Sequence, residues 1–172
     1  YKADVALSAG VRWGTTTLKG DWITMEDVMT QCSMTYAETY VQEMTGHDLL
    51  NILEQVADNL FDPDPYLQSG GDMVRVGGLD YTIDPAKKLY ERITDARLDN
   101  GHLIEADQKY TVAGWAQVNR TPEGRLMWDV VRDYIVKNKG KDNVLKLPKI
   151  NHPKLVGVMK DPGIADYPGE AS

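Results

Sequence analysis

The stretch from His47 to Phe61 constrains the chain most. Leu49, Leu50, Leu53, Val56 and Leu60 recur there at three- to four-residue spacing behind a Thr45 cap, which predicts an amphipathic helix with one apolar face. That face must be covered, so its neighbours decide the fold class. Asp62-Pro63-Asp64-Pro65 ends the helix, because a proline lacks an N–H and drives its predecessor out of the helical region; the following loop is expected to run to Gly70-Gly71. Beyond it, residues 73–76, 79–83, 92–98, 102–104 and 110–116 have strand character, with Asp99-Asn100-Gly101 as a hairpin-like turn between the third and fourth. Ahead of it, residues 3–7 and 39–44 predict two more strands. A short helix over 24–31 carries Thr24 and Asp27 in a capping-box arrangement. From Gly124 to Val136, the residues Leu126, Met127, Val130, Val131, Tyr134 and Ile135 form one helical face, closed off by Gly140. This order predicts an α+β domain, a central mixed sheet flanked by helices. Pro148, Pro153, Pro162 and Pro168 predict an extended tail over its surface, giving a domain over 1–143 and a tail over 144–172.

Composition removes several classes of function. The 172 residues suffice for one domain that buries roughly 70% of its unfolded surface. No apolar run approaches the roughly 20 residues of a spanning helix. Against 19 Lys plus Arg stand 26 Asp plus Glu, a balance that repels a phosphate backbone and argues against nucleic acid as a partner. The charge is uneven: residues 1–136 hold 12 bases and 22 acids, whereas 137–172 hold seven bases and four acids. The chain opens Tyr-Lys-Ala-Asp-Val rather than with Met, as expected of a processed chain or a domain of something longer.

Few residues offer chemistry. His47, His102 and His152 are spread over a helix start, a turn and the tail, so no metal site is expected from them. Cys32 has no His near it in sequence and is expected to be a passive, partly buried thiol. Asn119-Arg120-Thr121 matches a glycosylation sequon, a pattern common by chance. Neither Gly70-Gly71 nor Gly77-Gly78 lies in the strand-to-helix setting of a dinucleotide loop. Three features rise above this background. Arg12-Trp13 follow the small-residue turn Ser8-Ala9-Gly10, which would bring a guanidinium and a flat apolar wall to a cleft lip, or make a surface ion pair beside a packed indole. Gly70-Gly71-Asp72 precede a strand bearing Arg75, where missing side chains would let a ligand lie against backbone, or mark a plain turn. Trp115 ends a strand and fits either core or pocket wall.

Taken in order, three blocks resemble the C-terminal domain of the 5′-nucleotidase family: Asp4-Val5-Ala6-Leu7-Ser8 to Arg12-Trp13-Gly14; Gly20-Asp21 to Ile23-Thr24-Met25-Glu26-Asp27-Val28; and Gly71-Asp72-Met73-Val74-Arg75-Val76-Gly77-Gly78-Leu79-Asp80-Tyr81. Arg12-Trp13-Gly14, Val112-Ala113-Gly114-Trp115-Ala116 and the tail Pro153-Lys154-Leu155-Val156-Gly157 with Asp161-Pro162-Gly163-Ile164-Ala165 are similar to the SoxB-type thiosulfohydrolases within that family.

The resemblance implies a periplasmic two-domain hydrolase whose N-terminal metallophosphatase-like domain holds two Mn2+, with this chain as the substrate-recognition half and inactive alone. It implies anion contact by Arg12 with Trp13 beside it, although Ala9 replaces a usual glycine. It also implies backbone approach at Gly70, Gly71 and Asp72, an aromatic contact from Tyr36 with Met34 near the same position, and Trp115 beside the ligand. The family's second stacking Phe and its paired glycines have no counterpart in residues 115–123, and stacking contributes about 1–3 kcal/mol per base, so nucleotides should be held poorly. The partners implied are the family's own N-terminal domain and the C-terminal arm of the SoxYZ carrier, whose cysteine S-sulfonate would be hydrolysed to release sulfate. A nucleotidase half and a free-standing binding module are the competing readings.

Overall fold

A computed structural model describes residues 2–10, 16–32, 36–116, 124–145 and 148–157. Its elements, in chain order, are β1 (Val5–Ser8), α1 (Met25–Gln31), β2 (Thr39–Thr45), α2 (Gly46–Phe61), β3 (Arg75–Gly77), β4 (Leu79–Ile83), β5 (Ile93–Leu98), β6 (Lys109–Trp115), α3 (Met127–Asn138) and β7 (Lys154–Leu155). Both of the first two helices start on a capping box. The Thr24 hydroxyl accepts from Asp27 N at 3.2 Å while the Asp27 carboxylate accepts from Thr24 N at 2.7 Å. Thr45 and Asp48 repeat the exchange at 3.1 and 3.0 Å. Each threonine hydroxyl also donates to its aspartate, at 2.6 and 2.7 Å, and these bonds first, then those from the threonine N–H groups, hold both aspartates below the usual carboxylate range. Asp62 caps the C-terminal end of α2, directly before Pro63.

The expected α+β class holds, with its strands divided between two mixed sheets. The first has the order β2-β6-β1-β3, in which β1 runs parallel to β6 and antiparallel to β3, and β2 runs antiparallel to β6. The second has the order β5-β4-β7, antiparallel and then parallel. Val5, Leu7, Tyr110 and Val112 from the first sheet, and Leu79, Tyr81 and Ile83 from the second, alternate inward with period two. Leu49 and Leu53 of α2 complete this core.

Two expectations change. Residues 102–104 do not form a strand. Leu98 N donates to His102 O and Ile104 N to Ala96 O, both at 2.9 Å, but only Leu103 forms a bridge, to Arg97, before the chain turns at Glu105–Gln108. Gly101, at φ 88°, on one side and this turn on the other confine the segment to that single bridge. In the tail, β7 is a sheet member that pairs with β4 rather than only overlying the surface. Pro162 and Pro168 lie outside the described residues.

The buried polar groups also depart from the apolar pattern. Glu54 is 4% exposed, and its carboxylate accepts from Tyr90 N at 3.0 Å and Ile93 N at 2.6 Å. Arg92, 2% exposed, pairs with Asp58 of α2. These contacts tie the segment between β4 and β5 onto the long helix.

Candidate functional site

Strand register brings separated residues to one end of the first sheet. Thr39 pairs with Trp115 across β2 and β6, Leu7 with Gly114 across β1 and β6, and Ser8 with Arg75 across β1 and β3. The chain therefore places Thr39, Trp115, Ser8 and Arg75 in a row where the parallel strands β1 and β6 end. Tyr36 lies three residues before Thr39, Gly10 two after Ser8, and Gly70-Gly71-Asp72 just before β3. Segments far apart in the sequence thus meet at one rim.

Within the row, Trp115 is a packing residue. It is 7% exposed, and its indole N–H donates to the Ser8 hydroxyl at 2.8 Å, which in turn donates to Ala9 O at 2.9 Å. This pins the ends of β1 and β6 together and leaves little of the indole exposed. Tyr36 is 41% exposed. Behind the rim, burial pushes the Tyr81 phenol up to about 12, with the Arg75 charge acting weakly the other way.

The glycine segment is built tightly on one side and open on the other. Gly70 N donates to Asn59 O at 3.1 Å, and a Cβ there would lie 3.0 Å from Asn59 Cβ. At Gly71 a Cβ would meet nothing within 4 Å among the described residues, so this position is open on their side. Asp72 pairs with Arg75 at 3.2 Å, both half-exposed. Its carboxylate also lies over Gly10, where a Cβ would come within 1.8 Å of Asp72 Oδ2. Absence of a side chain at Gly10 is what lets the 70–72 segment meet the end of β1. Arg12 and Trp13, next along that strand's exit, lie outside the described residues, as does Met34.

Arg125 carries no motif in the sequence. Its carbonyl accepts from Thr39 N and from the Thr39 hydroxyl, both at 2.9 Å, so the start of α3 is fastened to this rim, and its guanidinium pairs with Asp133. The pairing of Glu38 with Leu126, far apart in the sequence, is what puts it there, and no local pattern encodes it.

The remaining candidates lie elsewhere. His47, His102 and His152 are exposed and lie on separate elements of the fold. Cys32 is buried at the end of α1, and burial pushes its thiol up, away from the reactive thiolate. Among the described residues no three His, Cys, Asp or Glu side chains converge so as to hold a metal. The described residues therefore offer no ligand set for the two Mn2+ that the resemblance assigns to the N-terminal domain. No described helix is long and apolar enough to cross a membrane.

The fold is shared with known proteins. Sulfate thiohydrolase SoxB from Thermus thermophilus, solved with glycerol, superposes with a TM-score of 0.77 and 30% identity over 92% of this chain and 30% of its own. A 5′-nucleotidase precursor from the same species gives 0.68 and 17%, over 91% of this chain and 32% of its own. The NAD nucleotidase NadN of Haemophilus influenzae gives 0.54 and 20%, over 66% and 20% respectively. The chain thus spans about a third or less of the length of these proteins. The two nucleotidase likenesses concern the fold alone. No curated protein sequence matches the chain. The family model "5'-nucleotidase, C-terminal domain" matches residues 1–121, and the chain belongs to that family of hydrolase domains.

Proposed function

We propose that this chain is the substrate-recognition domain of a SoxB-type thiosulfohydrolase, an enzyme that hydrolyses a cysteine S-sulfonate on the SoxYZ carrier arm and releases sulfate. The observation that carries this reading is the likeness to sulfate thiohydrolase SoxB, closer in identity and in TM-score than the two nucleotidases compared above. The enzyme would work in the periplasm, with two Mn2+ held by residues outside this domain. The chain's own part is binding. Arg12 supplies the cation for the sulfonate, open Gly71 lets an extended small-residue arm lie against backbone, and the Asp72–Arg75 pair fixes that backbone in place.

The same rim is a poor base clamp. Tyr36 presents one exposed ring, while Trp115 is committed to Ser8 and the core. One stacked face forgoes about 1–3 kcal/mol relative to two. Calorimetric titration of the full-length enzyme, at matched salt because both ligands are anions, checks this. A glycine-rich peptide ending in cysteine S-sulfonate is expected to bind more tightly than AMP, and Arg12→Ala to weaken the peptide by about 10- to 100-fold, the range of a charge-assisted contact. Gly71→Ala should leave stability within about 0.5 kcal/mol of the parent, since its Cβ meets none of the described residues, so any affinity it loses reports ligand approach. Tighter binding of AMP would replace this reading with a nucleotidase half.

A further inference from the structure

A cluster of polar contacts lies where the tail meets the second sheet. Lys149 Nζ donates to Asp80 at 2.8 Å and to Asp99 at 2.5 Å, bridging β4 to the turn after β5. Two residues on, Asn151 is 7% exposed and uses both ends of its amide. Its Nδ2 donates to Asp80 at 2.9 Å and to Asp99 at 2.8 Å, and its Oδ1 accepts from Gly78 N at 3.0 Å. The chain then runs beside β4 as β7, pairing Lys154 with Thr82 and Leu155 with Ile83, and Val156 N donates to Ile83 O at 3.0 Å.

What holds this segment is polar. Lys154 and Leu155 are both exposed, and β7 adds no residue to the buried core. The carboxylate pair is faced by Lys149 and Asn151 from the tail, and each carboxylate faces the other. Arg97, the nearest cation in β5, is engaged with Asp95 and Gly101 O instead, and His152 and Lys154 are exposed. Removing Lys149 would leave two carboxylates sharing one amide group.

We propose that residues 148–157 are a latched strap that leaves and rejoins the β4 edge as a unit, with Lys149 and Asn151 as the catch and the Asp80–Asp99 pair as the keeper. Its position gives release a consequence. Gly78, held by Asn151, is the single residue between β3 of the rim-bearing sheet and β4, at φ 79°, with its backbone packed on Asp4 O so closely that a Cβ would lie 2.4 Å away. Detachment frees the Gly78 N–H and opens the β4 edge at Thr82 and Ile83 to another extended segment.

Acid is the natural release. The bonds from Lys149 and then Asn151 hold both aspartates below the usual carboxylate range. A carboxylate lowered in the closed state favours closure above its ordinary range, and that preference is lost as pH falls through the depressed value. Amide hydrogen exchange on the 172-residue chain, corrected for intrinsic rates, tests this. At neutral pH, Gly78 and Val156 should be protected. At about pH 3, below the ordinary carboxylate range, their protection should fall at least roughly tenfold more than that of Leu53 in α2 and Val112 in β6, and Lys149→Met should produce the same local loss at neutral pH. If Gly78 and Val156 keep their protection in acid, or lose it only together with Leu53 and Val112, the strap is not a separate unit. The wild-type acid comparison decides the matter even if the variant fails to fold.

Discussion

Asp58→Ala is expected to lower the free energy of unfolding by about 3 kcal/mol, because it strands a buried guanidinium. The Arg92 side chain is 3% exposed and that of Asp58 27%, so the cation, not the anion, is the group removed from water. Its other bonds are poor substitutes: the contact to Phe61 O is 3.5 Å, and Arg92 Nε has no partner among the described residues. Without Asp58 the positive charge keeps only that long contact against its desolvation among the described residues. The double variant Arg92→Met/Asp58→Ala should recover most of the loss, since it buries no charge and a thioether fills much of the same volume. Urea denaturation of the four proteins of the cycle measures the coupling. A loss below about 1 kcal/mol for Asp58→Ala would mean the pair behaves like an exposed one.

This ion pair marks a limit of what the sequence discloses. Helices were legible because their signals are local. Thr24 and Asp27, or Thr45 and Asp48, lie three positions apart, and Asp62-Pro63 is a stop on any reading. Strands over 79–83, 93–98 and 109–115 were legible within a residue or two, the first from clean period-two alternation. The division into two sheets was not, because it depends on whether Ser8 pairs with Arg75 and Ile83 with Leu155, choices made by tertiary packing. The same distinction runs through the site. Gly71 stands out by composition, and the structure finds it open. Trp115 left two readings, core or wall, and its burial against Ser8, 107 positions away, depends on a tertiary contact that no local pattern encodes. Tyr36 entered through family resemblance, not through any local pattern. Asn151 gave no sign at all, since one asparagine in a proline-rich tail reads as a turn residue until its three partners are seen.

Glu54 gives the second large effect and the sharper test of chemistry. Its two carboxylate oxygens accept separate backbone N–H groups, Oε1 from Ile93 and Oε2 from Tyr90. Tyr90 sits at φ 69°, a left-handed conformation that a bulky residue adopts only when held. Glu54→Gln keeps the shape but offers one acceptor oxygen; the NH2 group that replaces the other oxygen points a donor at a donor. Losing one charge-assisted bond and gaining that clash should cost about 2–3 kcal/mol. Glu54→Leu orphans both N–H groups and should cost about 3–5 kcal/mol. For a chain of this size that corresponds to a fall in Tm of roughly 6–20 °C. In either variant, exchange of the Tyr90 and Ile93 amides should quicken beyond that of Val112, because the segment joining β4 to β5 loses its tether to α2 before the core opens. If Glu54→Gln matches the parent in both stability and exchange, the two bonds carry no charge-assisted energy, and the segment is held by Arg92 and Asp58 alone.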